Sequence, residues 1–302
     1  MGTSLTARPL ARVLPVIALL LVGACGRTAS SSDTGPAEIS HPTAADQPIL
    51  SVVTAGGFVP MEVSLTTLPG FTLAGDGSIY TPGPMIEIYP PPAVPAFQVQ
   101  TVDEAGIQAI LHPAKDAGLL EGDRSFQDMF VSDMPTTTFT VTADDVEHTT
   151  SVYALENGSE HYDEPQRSQL QKIERFNEKL SDLASWLPKG SLGEQQVYDP
   201  LRMQLFVLPA PATDPQMPQQ PVEWPLAEPL SGFGAPDSNG NQDRCGIVAG
   251  DDLAALLDTA KGTNTMTPWT SDGKRYQVLF RPLLPTELGC VAPVTSTGGA
   301  TP

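Results

Sequence analysis

The sequence is poor in basic residues. Its 302 residues include 16 Lys and Arg against 35 Asp and Glu, which gives a formal net charge of −19. A surface of this charge repels the phosphates of nucleic acids and anionic lipid headgroups. We therefore expect no nucleic-acid partner and no groove for an anionic polymer, while a basic partner is compatible with such a surface.

Common catalytic motifs are also missing. The sequence contains no Gly-x-Ser-x-Gly elbow, no phosphate-binding glycine loop, no His-Glu-x-x-His and no Cys-x-x-Cys. The histidines number only 4, at positions 41, 112, 148 and 161. These absences favour a protein that is not an enzyme and that uses no cofactor.

The N-terminus combines the three parts of an export signal: a basic start, a short apolar run over 13–22, and small residues before Cys25. The run is too short to span a bilayer, which takes about 20 apolar residues. The stretch Leu21-Val22-Gly23-Ala24-Cys25 resembles the lipobox of bacterial lipoproteins. The resemblance implies removal of residues 1–24, a diacylglyceryl group on Cys25, and anchoring to the extracytoplasmic face of the cell membrane.

The two remaining cysteines form a candidate pair. If Cys25 carries lipid, an exported chain is left with Cys245 and Cys290, and oxidising compartments favour disulfides. Closing this loop would contribute roughly 4 kcal/mol in the chain-entropy treatment. The alternative is two separate buried thiols.

Proline and glycine divide the chain into segments. The sequence has 31 prolines and 26 glycines, concentrated at the N-terminus, near 82–95 and near 209–229, which is typical of linkers. The predicted organisation is a disordered tether over 25–47, an α+β domain over 48–190, a Pro-rich connection with one strand over 191–229, a smaller α+β segment with the disulfide over 230–292, and a disordered tail over 293–302.

Local patterns predict hairpins that lead into helices. Asp-Gly turns at Asp76 and Asp272 and the alternating run 136–142 predict antiparallel hairpins. A capping box, Thr101-x-x-Glu104, predicts a helix that Pro113 should kink or end, and helical spacing predicts another helix over about 166–187. Hairpins followed by helices indicate an α+β fold with helices packed on one face of antiparallel sheets, in two subdomains. In these turns and caps, the segment 48–190 resembles uncharacterised lipoproteins of high-GC Gram-positive bacteria. This resemblance implies no activity.

Two polar clusters have ligands suited to a divalent cation. The first is Asp144, Glu147 and His148, and the second is Asp237, Asn239, Asn241 and Asp243. The first mixes carboxylates and imidazole, and the second places oxygens at alternate positions as in a calcium loop. Hairpin tips and loops attract the same residues, and the second cluster lacks a glutamate at its twelfth position, which is Val248. We expect a solvated turn and a plain loop rather than metal sites.

Aromatic residues are another candidate surface. Trp186, Trp224, Trp269 and Tyr276 could line a ligand pocket, although aromatics in hairpins and at helix ends are more often part of the core.

The leading functional hypothesis is a non-enzymatic, lipid-anchored cell-envelope protein that presents a binding surface outside the membrane, to a basic or cell-wall partner. One alternative is a hydrolase of an envelope polymer that uses acids such as Asp144 and Glu147. The other is a lipoprotein that binds a metal or a solute.

Overall fold

The computed structural model describes residues 1–2, 37–84, 87–128, 130–212, 215–236 and 243–290. The predicted signal peptide, Cys25, and the tail beyond Cys290 lie outside these residues. From Glu38 onward the chain forms one unit that contains two β-sheets and their helices. The α+β class predicted from the sequence is therefore confirmed, and the two sheets correspond to two subdomains.

Within the described residues, four α-helices separate groups of one to five consecutive strands. The strands are β1 (Pro48–Gly56), β2 (Phe71–Ala74), β3 (Ser78–Pro82), β4 (Phe97–Thr101), β5 (Arg124–Phe126), β6 (Pro135–Ala143), β7 (Val146–Tyr153), β8 (Gln196–Val197), β9 (Arg202–Pro209), β10 (Val222–Glu223), β11 (Ala235–Pro236), β12 (Arg244–Ala249), β13 (Pro268–Ser271) and β14 (Lys274–Pro282). The α-helices are α1 (Met61–Leu65), α2 (Glu104–Asp116), α3 (Gln166–Leu180) and α4 (Gly250–Ala260).

The first sheet has eight strands in the order β5-β7-β6-β1-β2-β3-β4-β8. Its neighbours are antiparallel except β5 and β7. Along β6 the inward residues are buried and the outward threonines are partly exposed, the period-2 pattern of a strand with one covered face. Helices α2 and α3 cover that face, where the rings of Phe139 and Phe176 lie 6.4 Å apart.

The second sheet has six strands in the order β10-β13-β14-β9-β12-β11. Strand β9 pairs antiparallel with both β12 and β14. Its residues are buried on both faces, because Met203, Leu205 and Val207 face the core under α4 while Phe206 and Leu208 face a second cluster. A near-continuous apolar strand is what burial on two faces requires.

Three segments connect the two sheets. On the face of the first sheet away from α2, Tyr80 and Phe97 pack with Leu284, which follows β14. The Pro-rich crossing places Ala93 in the core of the second sheet. Nε of Arg281 in β14 donates a hydrogen bond of 3.0 Å to the carbonyl of Thr67.

The predicted cap of α2 and the predicted end of α3 are wrong. The cap of α2 is Asp103, whose carboxylate accepts from the N–H of Gly106 at 2.9 Å, while Thr101 belongs to β4. Pro113 lies inside α2, which continues to Asp116 because Leu111 and Ala114, on both sides of the proline, remain in the core. The helix expected over 166–187 ends at Leu180, and a 3₁₀ turn over Leu183–Ser185 follows.

Candidate functional site

A cavity of about 570 Å³, open to solvent, lies at one end of the second sheet. Cavities that bind small molecules measure about 300–1,000 Å³. Its apolar lining comes from 207–210 at the end of β9, from Leu230 and from Pro236. The polar lining is Ser231, Asp243, Arg244, Lys274, Arg275 and Tyr276.

Strand register places these side chains together. Val207 pairs with Arg244 of β12 on one side and with Val278 of β14 on the other, so these three residues point to the same face. That face carries the core under α4. Beyond Val207 the next residue on this face of β9 is Pro209, opposite Tyr276, and β12 has ended. The core thus stops at Val207, and the cavity opens where the strands end.

Three backbone carbonyls hold the guanidinium of Arg244. Its Nε donates to the carbonyl of Phe233 at 2.7 Å, and its Nη2 donates to the carbonyls of Gly232 and Gly234 at 3.1 and 2.7 Å. Gly234 has a φ of +60°, and a Cβ there would overlap the carbonyl oxygen of Cys245. A glycine is therefore needed at this position, so that the turn comes close enough to β12 for its carbonyls to accept hydrogen bonds from Arg244.

These three hydrogen bonds leave some N–H groups of the guanidinium without an acceptor in the described part of the chain. An arginine side chain carries five N–H donors in a planar fork. The three carbonyls of 232–234 engage Nε and Nη2 of Arg244, and no hydrogen bond from Nη1 is found within the described residues. Nη1 can therefore donate to a molecule in the cavity.

Two further cations border the cavity at the turn between β13 and β14. Asp272 and Gly273 form this turn with φ of +50° and +70°, and the exposed Lys274 and Arg275 directly follow it. Lys274 alternates with Tyr276 and Val278 and therefore shares the face of Arg244, while Arg275 points to the opposite face of β14. Within the described ranges, no carboxylate lies at ion-pair distance from Arg244, Lys274 or Arg275. Asp243 is the one acid among the described residues of the lining, so among these residues cations outnumber carboxylates although the chain as a whole is strongly acidic.

The first predicted metal cluster lies elsewhere, at the β6–β7 hairpin. Asp144 and Asp145 form its two-residue turn with φ of +51° and +61°. The carboxylate of Asp144 accepts from the N–H of Ser40 at 3.3 Å. Glu147 and His148 are consecutive residues of β7, so their side chains point to opposite faces of the sheet. The structure therefore does not bring the side chains of these three candidates together.

The second predicted cluster falls mainly outside the described residues. Asp237, Asn239 and Asn241 belong to the segment 237–242, which is not described, and a calcium loop there stays a hypothesis. Asp243 is described and is buried in the cavity wall. Among the residues that the structure describes, no group of three or more His, Cys, Asp or Glu side chains could hold a metal ion.

The predicted disulfide between Cys245 and Cys290 is present in the structure, with Cα atoms 5.7 Å apart. It joins β12, beside Arg244, to the segment that follows β14. Nε2 of the buried Gln204 donates to Sγ of Cys245 at 3.3 Å. The bond thus supports the strand from which the central cation of the cavity projects.

The aromatic candidates divide between core and cavity. Trp224 and Trp269 are buried and pack edge to face in the core of the second sheet, with ring centroids 5.9 Å apart. Trp186 directly follows the 3₁₀ turn after α3, and its Nε1 donates to the carbonyl of Lys179 at 2.8 Å. Tyr276 alone of the four lines the cavity.

Sequence reasoning did not single out Arg244, Lys274 and Arg275. One signal for them was present in the sequence. Basic residues are scarce in this chain, yet Lys274 and Arg275 are adjacent and directly follow an Asp-Gly turn. None of the described helices combines the length and the apolar character needed to cross a membrane. No protein-family model, no curated protein and no solved structure matches this chain.

Proposed function

We propose that this chain is a lipid-anchored cell-envelope protein that binds a small molecule outside the membrane and does not catalyse a reaction. The observation that carries the binding role is the cavity at the end of the second sheet, which has the volume of a small-molecule site and a lining that mixes apolar surface with hydrogen-bonding groups. The sequence over 21–25, which resembles a lipobox, supports the anchor.

Two further observations support an exported, lipid-held protein. A disulfide between Cys245 and Cys290 is compatible with an oxidising compartment outside the cytoplasm and is rare inside it. The charge of −19 disfavours adsorption to anionic headgroups, so attachment would depend on acyl chains. Two chains are needed for stable attachment, because a single one gives only marginal binding.

The anchor is tested by the intact mass of the protein purified from its host membrane. We expect a mass that corresponds to residues 25–302 plus a diacylglyceryl group. A Cys25→Ser variant should appear in the medium or keep its first 24 residues, while the control Ser30→Ala should remain in the membrane fraction. A Cys25→Ser variant that is processed and anchored normally would contradict the proposal.

The binding role is tested separately by native mass spectrometry of the same preparation. Ser231 is exposed and lines the cavity, so Ser231→Trp should fill the space without changing the core. We expect the wild-type protein to retain a small molecule that Ser231→Trp lacks. Equal retention by both proteins, or no bound molecule in wild type from any growth condition, would show that the cavity is not a binding site.

A further inference from the structure

We infer that the cavity takes an amphipathic organic anion, whose acid group binds between Arg244 and Lys274 and whose apolar part lies against the end of β9 and Leu230. This inference rests on the proposed binding function and adds the chemical class of the ligand. The acid group is a carboxylate or a phosphate, since both present oxygens to cations in the same way.

The charge around the cavity carries the first step. The described lining contains three cations and one carboxylate, in a chain that has fewer than half as many basic as acidic residues. Across the described part of the chain, none of the three cations has an acidic partner. Cations of like sign in one wall repel each other, and an anion between them would relieve that repulsion.

The geometry of Arg244 carries the second step. Its guanidinium is fixed by the carbonyls of Phe233, Gly232 and Gly234 and does not have to be ordered when a ligand binds. A donor that is already in place loses less conformational entropy on binding than a free side chain does. The two N–H groups of Nη1 are then a fixed anchor for acid oxygens, and the exposed Lys274, on the same face of the sheet, can close over them.

The apolar lining carries the third step and excludes a bare inorganic ion as the best ligand. The apolar and aromatic residues of the lining include Val207, Pro209, Leu230, Pro236 and Tyr276. Inorganic phosphate would leave this surface in water. A ligand with a ring or a short hydrocarbon body would cover it, at a gain of about 25 cal/mol for each Å² of apolar surface removed from water.

The test is isothermal titration of the full chain, in a non-ionic detergent, with four probes that share one ring. Phenyl phosphate and benzoate are the anions, benzyl alcohol is neutral and benzylamine is a cation. We expect both anions, or one of them, to bind at least about tenfold more tightly than benzyl alcohol, as charge-assisted hydrogen bonds imply. Inorganic phosphate should bind more weakly than phenyl phosphate.

A pair of charge-matched variants separates the cavity from the overall charge. Lys274→Gln/Arg275→Gln removes two exposed cations whose side chains make no hydrogen bond in the described structure, so folding should be intact. The control Lys172→Gln/Lys189→Gln removes the same charge from exposed positions in the first subdomain. We expect the first variant to weaken binding of the anions about three- to tenfold and the control to leave it unchanged.

Each outcome bears on the inference. Tight binding of phenyl phosphate alone, or of benzoate alone, supports it and identifies the acid group. Benzyl alcohol or benzylamine binding as tightly as the anions would overturn it while leaving the proposed binding function intact. Equal weakening by the two variants would also overturn it, as would the absence of binding by any anion in a protein that carries a cavity ligand by native mass spectrometry.

Discussion

The two buried tryptophans of the second sheet allow one substitution to be compared at two sites. Trp224 and Trp269 are both almost completely buried and touch each other. Nε1 of Trp224 donates to the carbonyl of Glu228 at 2.8 Å. Nε1 of Trp269 is buried and has no hydrogen-bond partner among the described residues. The same change to phenylalanine should therefore have different effects at the two positions.

The magnitudes follow from these contacts. Replacing an indole by a benzene ring removes about 2 kcal/mol of burial and packing at either site. At Trp224 the lost hydrogen bond adds about 1 kcal/mol, for a total near 3 kcal/mol. At Trp269 the change removes an unpaired N–H whose burial costs about 1–3 kcal/mol, so the net effect should lie between a loss of about 1 kcal/mol and a gain of about 1 kcal/mol.

The assay is equilibrium unfolding in guanidinium chloride, followed by far-UV circular dichroism with the disulfide oxidised. Circular dichroism is preferable to fluorescence because each variant loses a tryptophan. Trp224→Phe should lower the free energy of unfolding by about 2–4 kcal/mol more than Trp269→Phe does. If Trp269→Phe is as destabilising as Trp224→Phe, the reasoning about its unpaired N–H is wrong.

Two further predictions concern pH and the disulfide. Burial, and to a lesser extent the neighbouring Tyr80, raise the pKa of Tyr198 from 10.0 to about 12; the unfolded chain ionises first, so this contribution to stability is complete below pH 10 and is lost as the pH rises towards 12. Tyr198→Phe should make stability fall less steeply in that window in pH-dependent urea unfolding, and an unchanged slope would contradict the assignment. Cys245→Ser/Cys290→Ser should lower the free energy of unfolding by roughly 4 kcal/mol, because the disulfide closes a separation of 45 residues and reduces the entropy of the unfolded chain. A loss under about 1 kcal/mol would contradict this entropic explanation.

Elements fixed by local chemistry could be predicted from the sequence. The turns at Asp76 and Asp272 are followed by Gly77 and Gly273, which have the positive φ of tight hairpins. The run 136–142 falls within β6, and this strand could be predicted because the alternation of its own residues is enough to indicate a strand. The cap of α2 could not be decided locally, because Thr101 and Asp103 are both good capping residues and pairing of Thr101 with Ser78 in the sheet left the role to Asp103.

The cavity could not be predicted because it depends on contacts between distant parts of the chain. Arg244 and Lys274 are 30 positions apart in sequence and meet only because β9 lies between β12 and β14. Strand β12 itself gives a weak local signal, since Cys245 and Gly246 interrupt its apolar pattern. The hydrogen bonds that fix Arg244 are accepted by backbone carbonyls of 232–234, which no pattern of side chains in the sequence reveals.

From the contacts between the two sheets we predict that residues 48–190 do not form a stable domain by themselves. In the whole chain Leu284 covers Tyr80 and Phe97, which lie on the face of the first sheet opposite α2 and α3. A fragment that ends at 190 loses this cover, and it also loses Arg281, which donates to the carbonyl of Thr67. Ala93 would leave the core of the second sheet and be exposed.

The fragment should therefore keep much of its secondary structure while its side chains lose fixed packing, because the core between the first sheet and its two helices remains. We expect a far-UV spectrum with native-like strand and helix signals, a weak near-UV spectrum, and binding of the dye ANS, whereas residues 38–302 should bind little dye. A fragment that unfolds cooperatively with a near-UV spectrum of its own would show that the first subdomain is independent. Rigid attachment of the sheets would in turn mean that the cavity is held by the whole unit, since Tyr80 and Leu284 connect the first sheet to the strand on which Lys274 and Tyr276 lie.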